Sequence, residues 1–198
     1  MASALIIVDV QNDFCPGGSL PVPHGDSIIP TLNEYIARAE QGGMPIFASQ
    51  DWHPAHTEHF AAAGGKWPEH CVQGEPGADL RADLLKPASM RIVQKGMSGK
   101  DDGYSAFEGR LPDGRDLAQA LRDTGVTRVY VGGLATDYCV LQTVLSARRL
   151  ELDTIWLRDA SLPVEVNAGD GENAERAMLA AGAQARTLAQ FNPSSAAS

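Results

Sequence analysis

The chain has 198 residues, of which 43% are hydrophobic, and this is enough for one domain with a complete apolar core. Its net charge of −9 at pH 7 disfavours nucleic acid or an anionic membrane surface as a partner. There are only three cysteines, Cys15, Cys71 and Cys139. A small, odd number argues against a disulfide framework and favours a reducing compartment. No stretch approaches the roughly 20 apolar residues of a membrane-spanning helix, so we expect a cytoplasmic globular protein.

The apolar pattern alternates between strands and helices along the chain. Short apolar or β-branched runs predict strands at residues 4–10, 45–50, 92–94, 129–131, 154–157 and 185–188. Apolar residues spaced three and four apart predict helices at residues 26–41, 116–124, 172–181 and after the 129–131 strand. This alternation predicts an α/β fold with a doubly wound parallel sheet that carries helices on both faces.

The stretch at about residues 51–90 interrupts this alternation. It is rich in His, Pro and Gly, and it shows only a short helical pattern at residues 78–85. Long irregular insertions inside compact domains are uncommon and usually functional. We therefore expect one domain over residues 1–198, with a functional insertion at about 51–90.

Cys139 lies in the segment VYVGGLATDYCVLQTV, which predicts a buried strand followed by a helix. Gly132 and Gly133 are expected to end the strand, and Thr136 or Asp137 can cap the helix. Cys139 would then lie in the first helical turn, where free backbone N–H groups and the helix dipole stabilise a thiolate. Ligands bind at this edge of open α/β sheets. The alternative is a small buried hydrophobic side chain, which is the commoner state of a free cysteine.

Asp9, Lys95 and Cys139 all lie at the predicted carboxyl ends of strands. Because a parallel sheet brings such ends to one edge, the three side chains are expected to converge. A carboxylate beside a thiol can take its proton and return it to a leaving amine, and a nearby ammonium favours both charged forms. Taken singly, Asp9 is better explained by a capped turn or an ion pair, and Lys95 by an exposed strand end; the catalytic interpretation depends on the three residues occurring together.

A second group of polar residues lies in the insertion: Asp51, His53, His56, His59 and His70. In an extended chain Asp51 and His53 point to the same side. Carboxylate and imidazole ligands together suit one divalent transition-metal ion such as zinc, iron or manganese. The alternative is a loop with surface histidines.

Six motifs occur in order over nearly the whole chain: VDVQNDFC (8–15), QDWHPAHTEHF (50–60), WPEHCVQGEPGADL (67–80), QKG (94–96), YSAFEG (104–109) and GLATDYCVLQTVLSA (133–147). Together they resemble the nicotinamidase/pyrazinamidase family of the isochorismatase-like hydrolases. The resemblance implies a six-stranded parallel sheet and hydrolysis of nicotinamide to nicotinate and ammonia in NAD salvage, with pyrazinamide as a further substrate. Relatives differ in oligomeric state, so a monomer and a homo-oligomer both remain open.

The resemblance also implies a role for individual residues. The family's catalytic triad falls on Asp9, Lys95 and Cys139. Its metal ligands fall on Asp51, His53 and His70, with His59 at the position of a fourth, more variable ligand, whereas His56 matches no ligand. Substrate-binding residues of the family fall on Phe14, Trp67, Tyr104, Leu134 and Tyr138. The backbone N–H groups of Ala135 and Cys139 correspond to the oxyanion site, and the Leu134–Ala135 peptide is expected to be cis.

The mechanism we expect from this resemblance is covalent. Nicotinamide would stack between Phe14 and Trp67 with its ring nitrogen towards the metal ion, and Asp9 would activate Cys139 to form a thioester. The nearest alternative is an N-carbamoyl or ureido amidohydrolase with the same thiol triad and no metal, which the Asp/His cluster disfavours. Isochorismatase activity itself does not call for the thiol. A non-catalytic metal-binding or partner-binding module is the remaining alternative.

Overall fold

The computed structural model describes residues 2–193, so both ends of the predicted 1–198 domain lie outside the described residues. Within that range six strands form one sheet: β1 (Ala2–Val8), β2 (Ile46–Asp51), β3 (Arg91–Lys95), β4 (Val126–Leu134), β5 (Asp153–Leu162) and β6 (Gln184–Arg186). Four α-helices occur in the same range: α1 (Ile29–Gln41), α2 (Leu117–Asp123), α3 (Leu141–Arg149) and α4 (Asp170–Ala180). None of these helices is long and apolar enough to cross a membrane.

All neighbouring strands are parallel, and their order is β3-β2-β1-β4-β5-β6. The order reverses direction at β1, from which the chain winds first to one side and later to the other. Ligands bind outside the carboxyl ends of the strands at such a switch point. The predicted α/β fold with a doubly wound, six-stranded parallel sheet is confirmed.

The core has two layers, one on each face of the sheet. In β1, Leu5 and Ile7 pack into the layer that contains α1, whereas Ile6 and Val8 pack into the layer that contains α2, α3 and α4. All four side chains are fully buried. Because alternate side chains of a strand point to opposite faces, a strand covered on both sides is apolar at every position. This explains the continuous apolar run at the start of the chain.

The glycine pair in β4 does not end the strand, contrary to the prediction. The strand continues through Gly132 and Gly133 to Leu134. Gly133 pairs with Val8 of β1, and a Cβ atom at Gly133 would lie 2.1 Å from the Val8 carbonyl oxygen. Its φ of +126° is also one that only glycine adopts readily. The glycine is therefore required by the close approach of the neighbouring strand.

The segment after β4 also differs from its prediction. Residues Thr136–Val140 form a π-helical turn, in which the Val140 N–H donates to the Ala135 carbonyl at 3.1 Å, and α3 begins only afterwards. Neither Thr136 nor Asp137 caps this turn. The Asp137 carboxylate instead accepts the backbone N–H groups of Val164 and Glu165, each at 2.9 Å. That carboxylate therefore anchors the chain after β5.

The segment between β2 and β3, predicted to be an insertion, is irregular. Its apolar pattern at residues 78–85 indicated a short helix, and this was wrong. Between β2 and β3 the only helical pieces are two short 3₁₀ turns, Ala61–Ala63 and Pro76–Ala78. The Ala78 carbonyl accepts the side-chain amides of Gln11 and Gln50, both at 2.8 Å. Since these distant side chains bind the backbone oxygen that a helix would use, the segment follows the sheet edge instead.

Candidate active site and metal centre

Asp9, Lys95 and Cys139 lie together at the carboxyl edge of the sheet. The Lys95 Nζ atom is 2.7 Å from Asp9 Oδ2 and 3.5 Å from Cys139 Sγ. A carboxylate oxygen of Asp9 and the Cys139 sulfur lie within 4.8 Å of each other. The three side chains are 0%, 1% and 7% exposed, respectively, so a carboxylate, an ammonium and a thiol meet away from bulk water.

Lys95 has two further partners, which keep it charged. Its Nζ atom donates to the Asp51 carboxylate and, at 2.6 Å, to the carbonyl oxygen of Gly103. Burial alone would lower the pKa of Lys95, but Asp51 and Asp9 outweigh it and raise that pKa well above its ordinary value. The lysine is therefore an ammonium ion that supplies a fixed positive charge to the site.

Asp9 and Cys139 hold opposite protonation states at neutral pH. Burial raises the pKa of Asp9 to about 6, although the Lys95 ammonium acts against this shift. Burial also raises the pKa of the Cys139 thiol well above its ordinary value, again against the effect of Lys95. The prediction that the helix start would stabilise a thiolate was wrong for this arrangement, because burial of the sulfur dominates. A carboxylate thus stands beside a protonated thiol whose proton it can accept.

Asp51 and three histidines form a second buried cluster beside the thiol. Asp51 Oδ2 is 3.6 Å from His53 Nε2 and 4.0 Å from His70 Nε2. One ring nitrogen from each of His53, His59 and His70 lies within 4.8 Å of the other two. All four residues are buried, with at most 6% of their surface exposed.

The second ring nitrogen of each histidine fixes its tautomer. Each Nδ1 atom contacts an oxygen that can only accept a hydrogen bond: the Gly96 carbonyl at 3.1 Å for His53, the Pro68 carbonyl at 2.7 Å for His70, and Asp102 Oδ1 at 2.9 Å for His59. In the neutral form of each ring the single N–H group therefore lies on Nδ1, which leaves the Nε2 lone pair free. This is the arrangement in which histidines bind metal ions.

The cluster fits a divalent transition-metal ion. His53 Nε2 is buried and has no hydrogen-bond partner among the described residues, a state that a metal ion would relieve. Burial lowers the pKa of His70 to about 4 and also lowers that of His59, so both rings are neutral at pH 7. One carboxylate oxygen and three imidazole nitrogens are a donor set suited to zinc, iron or manganese.

A pocket of about 390 Å³ opens onto both groups. Of the predicted substrate-binding residues, four line it: Phe14, Trp67, Tyr104 and Tyr138. Ala135 and Cys139, predicted for the oxyanion site, line it as well, and the Leu134–Ala135 peptide is cis as expected. Leu134 does not line the pocket, because its side chain is fully buried in the core layer that contains α1.

Comparison with known proteins identifies the family. A family model described as the isochorismatase domain matches residues 3–190. The chain belongs to the isochorismatase family. The nicotinamidase of Escherichia coli (strain K12) is 39% identical to it over 207 residues, which cover 95% of this chain and 96% of that protein.

Two solved structures of the isochorismatase fold extend this comparison. The pyrazinamidase of Pyrococcus horikoshii, in complex with zinc, matches with a TM-score of 0.88 and 42% identity over 95% of this chain and 100% of that one. The PnC1 protein of L. infantum, in complex with nicotinate, matches with a TM-score of 0.84 and 34% identity over 95% and 93%. The predicted resemblance to nicotinamidases and pyrazinamidases within the isochorismatase family is confirmed.

Several residues of this isochorismatase-family site carry no signal in the sequence. Leu20, Val22 and Val164 line the pocket, although each lies in an irregular connecting segment with no recognisable motif. The Lys66 ammonium lies 4.6 Å from the ring centroids of both Trp67 and Tyr138. A lysine next to a tryptophan of a recognised motif is the one hint that the sequence offered. His56, by contrast, is exposed, in line with its failure to match a ligand.

Proposed function

We propose that this protein is a nicotinamidase, which hydrolyses nicotinamide to nicotinate and ammonia in NAD salvage and also accepts pyrazinamide. The observation that carries the proposal is the buried Cys139 thiol, which lies beside Asp9 and Lys95 in a pocket that also exposes the Asp/His cluster. The nicotinamidase and pyrazinamidase relatives, at 39% and 42% identity over 95% of the chain, support the same reaction.

The pocket suits a flat aromatic amide. Phe14 and Trp67 both line it and provide apolar surfaces between which a pyridine ring would stack. We propose that Asp51, His53, His59 and His70 hold one divalent ion, zinc, iron or manganese. When bound, that ion would supply a Lewis-acid site for the ring nitrogen and so fix the orientation of the carboxamide. The zinc complex of the P. horikoshii relative supports a transition metal at this site.

Acylation begins with transfer of the thiol proton to Asp9. The resulting Cys139 thiolate attacks the carboxamide carbon, and its developing charge lies 3.5 Å from the Lys95 ammonium. The backbone N–H groups of Ala135 and Cys139 would bind the oxyanion, an effect of roughly 3–4 kcal/mol per donor. Asp9 then returns its proton to the leaving nitrogen, ammonia departs, and a thioester remains on the sulfur.

Deacylation uses the same residues in the reverse roles. A water molecule attacks the thioester carbon while Asp9 accepts its proton. The carbon–sulfur bond breaks, Asp9 gives the proton back to the Cys139 sulfur, and the product acid loses its remaining proton to solvent and leaves as nicotinate. Lys95 keeps Asp9 ionised at the start of each half-reaction, since its positive charge opposes the effect of burial on that carboxylate.

The test is ammonia release by the purified protein with nicotinamide and, separately, pyrazinamide. We expect turnover with both and none with Cys139→Ala. An N-carbamoyl amino acid and a ureido acid serve as alternative substrates, because the metal-free amidohydrolases act on such compounds. Turnover of those compounds with none of nicotinamide would overturn the proposal in favour of that class.

A further inference from the structure

The three histidines of the cluster differ in the group that accepts a hydrogen bond from Nδ1. For His53 and His70 this group is a backbone carbonyl, whereas for His59 it is the side-chain carboxylate of Asp102, at 2.9 Å from Oδ1. A carboxylate is a charge-assisted acceptor and binds an N–H group more strongly than a carbonyl does. His59 is therefore the histidine whose orientation depends on another side chain.

Asp102 itself is 67% exposed, yet its position is fixed by the backbone around it. Gly96 and Gly103 have left-handed φ values of +66° and +63°, and a Cβ atom on Gly103 would lie 2.4 Å from the Gly96 nitrogen. The two ends of the segment Gly96–Gly103 thus touch, and only glycine fits at the point of closure.

Both ends of this closed segment are tied to the site. The Gly96 carbonyl accepts the Nδ1–H of His53, and the Gly103 carbonyl accepts the Lys95 ammonium at 2.6 Å. In its middle, the Gly99 carbonyl accepts the backbone N–H of Glu58 at 2.8 Å, next to His59. These hydrogen bonds hold the segment in place, and the segment in turn holds the Asp102 carboxylate next to His59.

We propose that Asp102 is a positioning residue of the metal centre, whose carboxylate keeps the His59 proton on Nδ1 and aims Nε2 at the ion. The hydrogen bond also makes the ring a better electron donor, as carboxylate partners of metal-bound histidines do. The inference rests on the proposed metal site. It does not depend on nicotinamide being the substrate.

Zinc affinity provides the test, measured on the zinc-loaded protein by competition with a chromophoric chelator in the absence of substrate. We expect Asp102→Ala to weaken zinc binding by roughly 10–100-fold, the range typical of partners that orient a ligand. Asp102→Asn should weaken it less, because the amide oxygen still accepts the hydrogen bond but lacks the charge. Glu58→Gln is the matched control, since it removes an exposed negative charge beside His59 and should change affinity by about twofold or less.

A second readout separates positioning from a general effect on the fold. In the cobalt-loaded protein, Asp102→Ala should alter the visible absorption bands of the ion, which report ligand geometry, whereas Glu58→Gln should not. The proposal is overturned if Asp102→Ala and Asp102→Asn bind zinc as tightly as Glu58→Gln does, or if all three lose affinity equally. Should Asp102→Ala not fold, the comparison of Asp102→Asn with Glu58→Gln decides the matter alone. Failure to hydrolyse nicotinamide would leave this result unaffected.

Discussion

Lys95 and Asp51 form a buried ion pair that joins the thiol site to the histidine cluster. One Asp51 oxygen accepts from the lysine, while the other faces His53 and His70 at 3.6 and 4.0 Å. Burial alone would raise the pKa of Asp51, but the Lys95 ammonium acts against burial, and that pKa lies well below its usual range. Because one carboxylate serves both groups, we expect a change in either group to affect the other.

Removing the charge of Lys95 should destabilise the protein as well as inactivate it. Lys95→Met leaves Asp9 and Asp51 buried without their cation, and breaking a buried pair in this way costs about 3–5 kcal/mol. Urea unfolding followed by tryptophan fluorescence would measure the loss in the free energy of unfolding. Lys100→Met is the control, because Lys100 is exposed and its replacement should cost about 0.5 kcal/mol or less.

The double variant Asp9→Asn/Lys95→Met refines this prediction. Neutralising one of the two unpaired carboxylates should recover part of the lost free energy of unfolding, whereas activity should stay absent. Equal stability of Lys95→Met and Lys100→Met would show that the buried ion pairs contribute nothing to folding.

The pH dependence of turnover should report Asp9. Because its pKa is raised to about 6, the carboxylate form needed to accept the thiol proton is present above that pH and is lost below it. We therefore expect kcat/KM for nicotinamide to be level near pH 7 and to fall about tenfold per pH unit below about pH 6. The pKa of His70 is lowered to about 4, so protonation of that ring does not explain a fall near pH 6.

Metal content measured across the same pH range is the control for this experiment. A loss of bound metal that parallels the loss of kcat/KM would assign the fall to the metal centre instead of Asp9. A profile that stays level down to pH 4.5 would contradict the assignment of Asp9 as the base.

Metal binding should distinguish two histidines that are close in sequence. His53→Ala removes a fully buried nitrogen donor, whereas His56→Ala removes an exposed side chain. We expect His53→Ala to lower zinc affinity by more than the roughly 10–100-fold typical of losing an orienting group, and to lose activity with it. His56→Ala should retain both. Full activity of metal-stripped wild-type protein, checked by elemental analysis, would remove the ion from the proposed mechanism.

The sequence predicted those parts of the site that follow from sheet geometry. Asp9 and Lys95 stand where apolar runs end, and parallel strands necessarily bring such positions to one edge. The structure places both beside Cys139. Two-sided burial leaves a continuous apolar run in a strand, and one-sided burial leaves apolar residues three and four apart in a helix, so both kinds of element are visible without coordinates.

Other features depend on contacts between distant segments, which a single sequence does not show. The Asp102–His59 hydrogen bond exists only because the segment after Lys95 closes on itself through Gly103. Gly133 was expected to end a strand, and only the approach of β1 shows that the strand needs a glycine there. The raised pKa of Cys139 likewise follows from burial in the folded chain.

Cys139 should be the one cysteine whose loss stops catalysis. We expect Cys139→Ala to lower turnover of nicotinamide by at least about 10³-fold, as removal of a covalent nucleophile does, while nicotinamide still binds in calorimetry. The other two cysteines, Cys15 and Cys71, are fully buried and lie outside the pocket lining, so iodoacetamide should modify Cys139 alone in the native protein.

The rate of that alkylation tests the protonation state of the thiol. Because burial raises the pKa of Cys139 and iodoacetamide reacts with the thiolate, modification should be slow at pH 7 and faster as the pH rises. Bound nicotinate should slow it further by occupying the pocket, and peptide mapping by mass spectrometry would locate the adduct. Rapid alkylation at pH 7 would show that the thiolate already exists in the resting enzyme, and Asp9 would then not be needed to remove its proton.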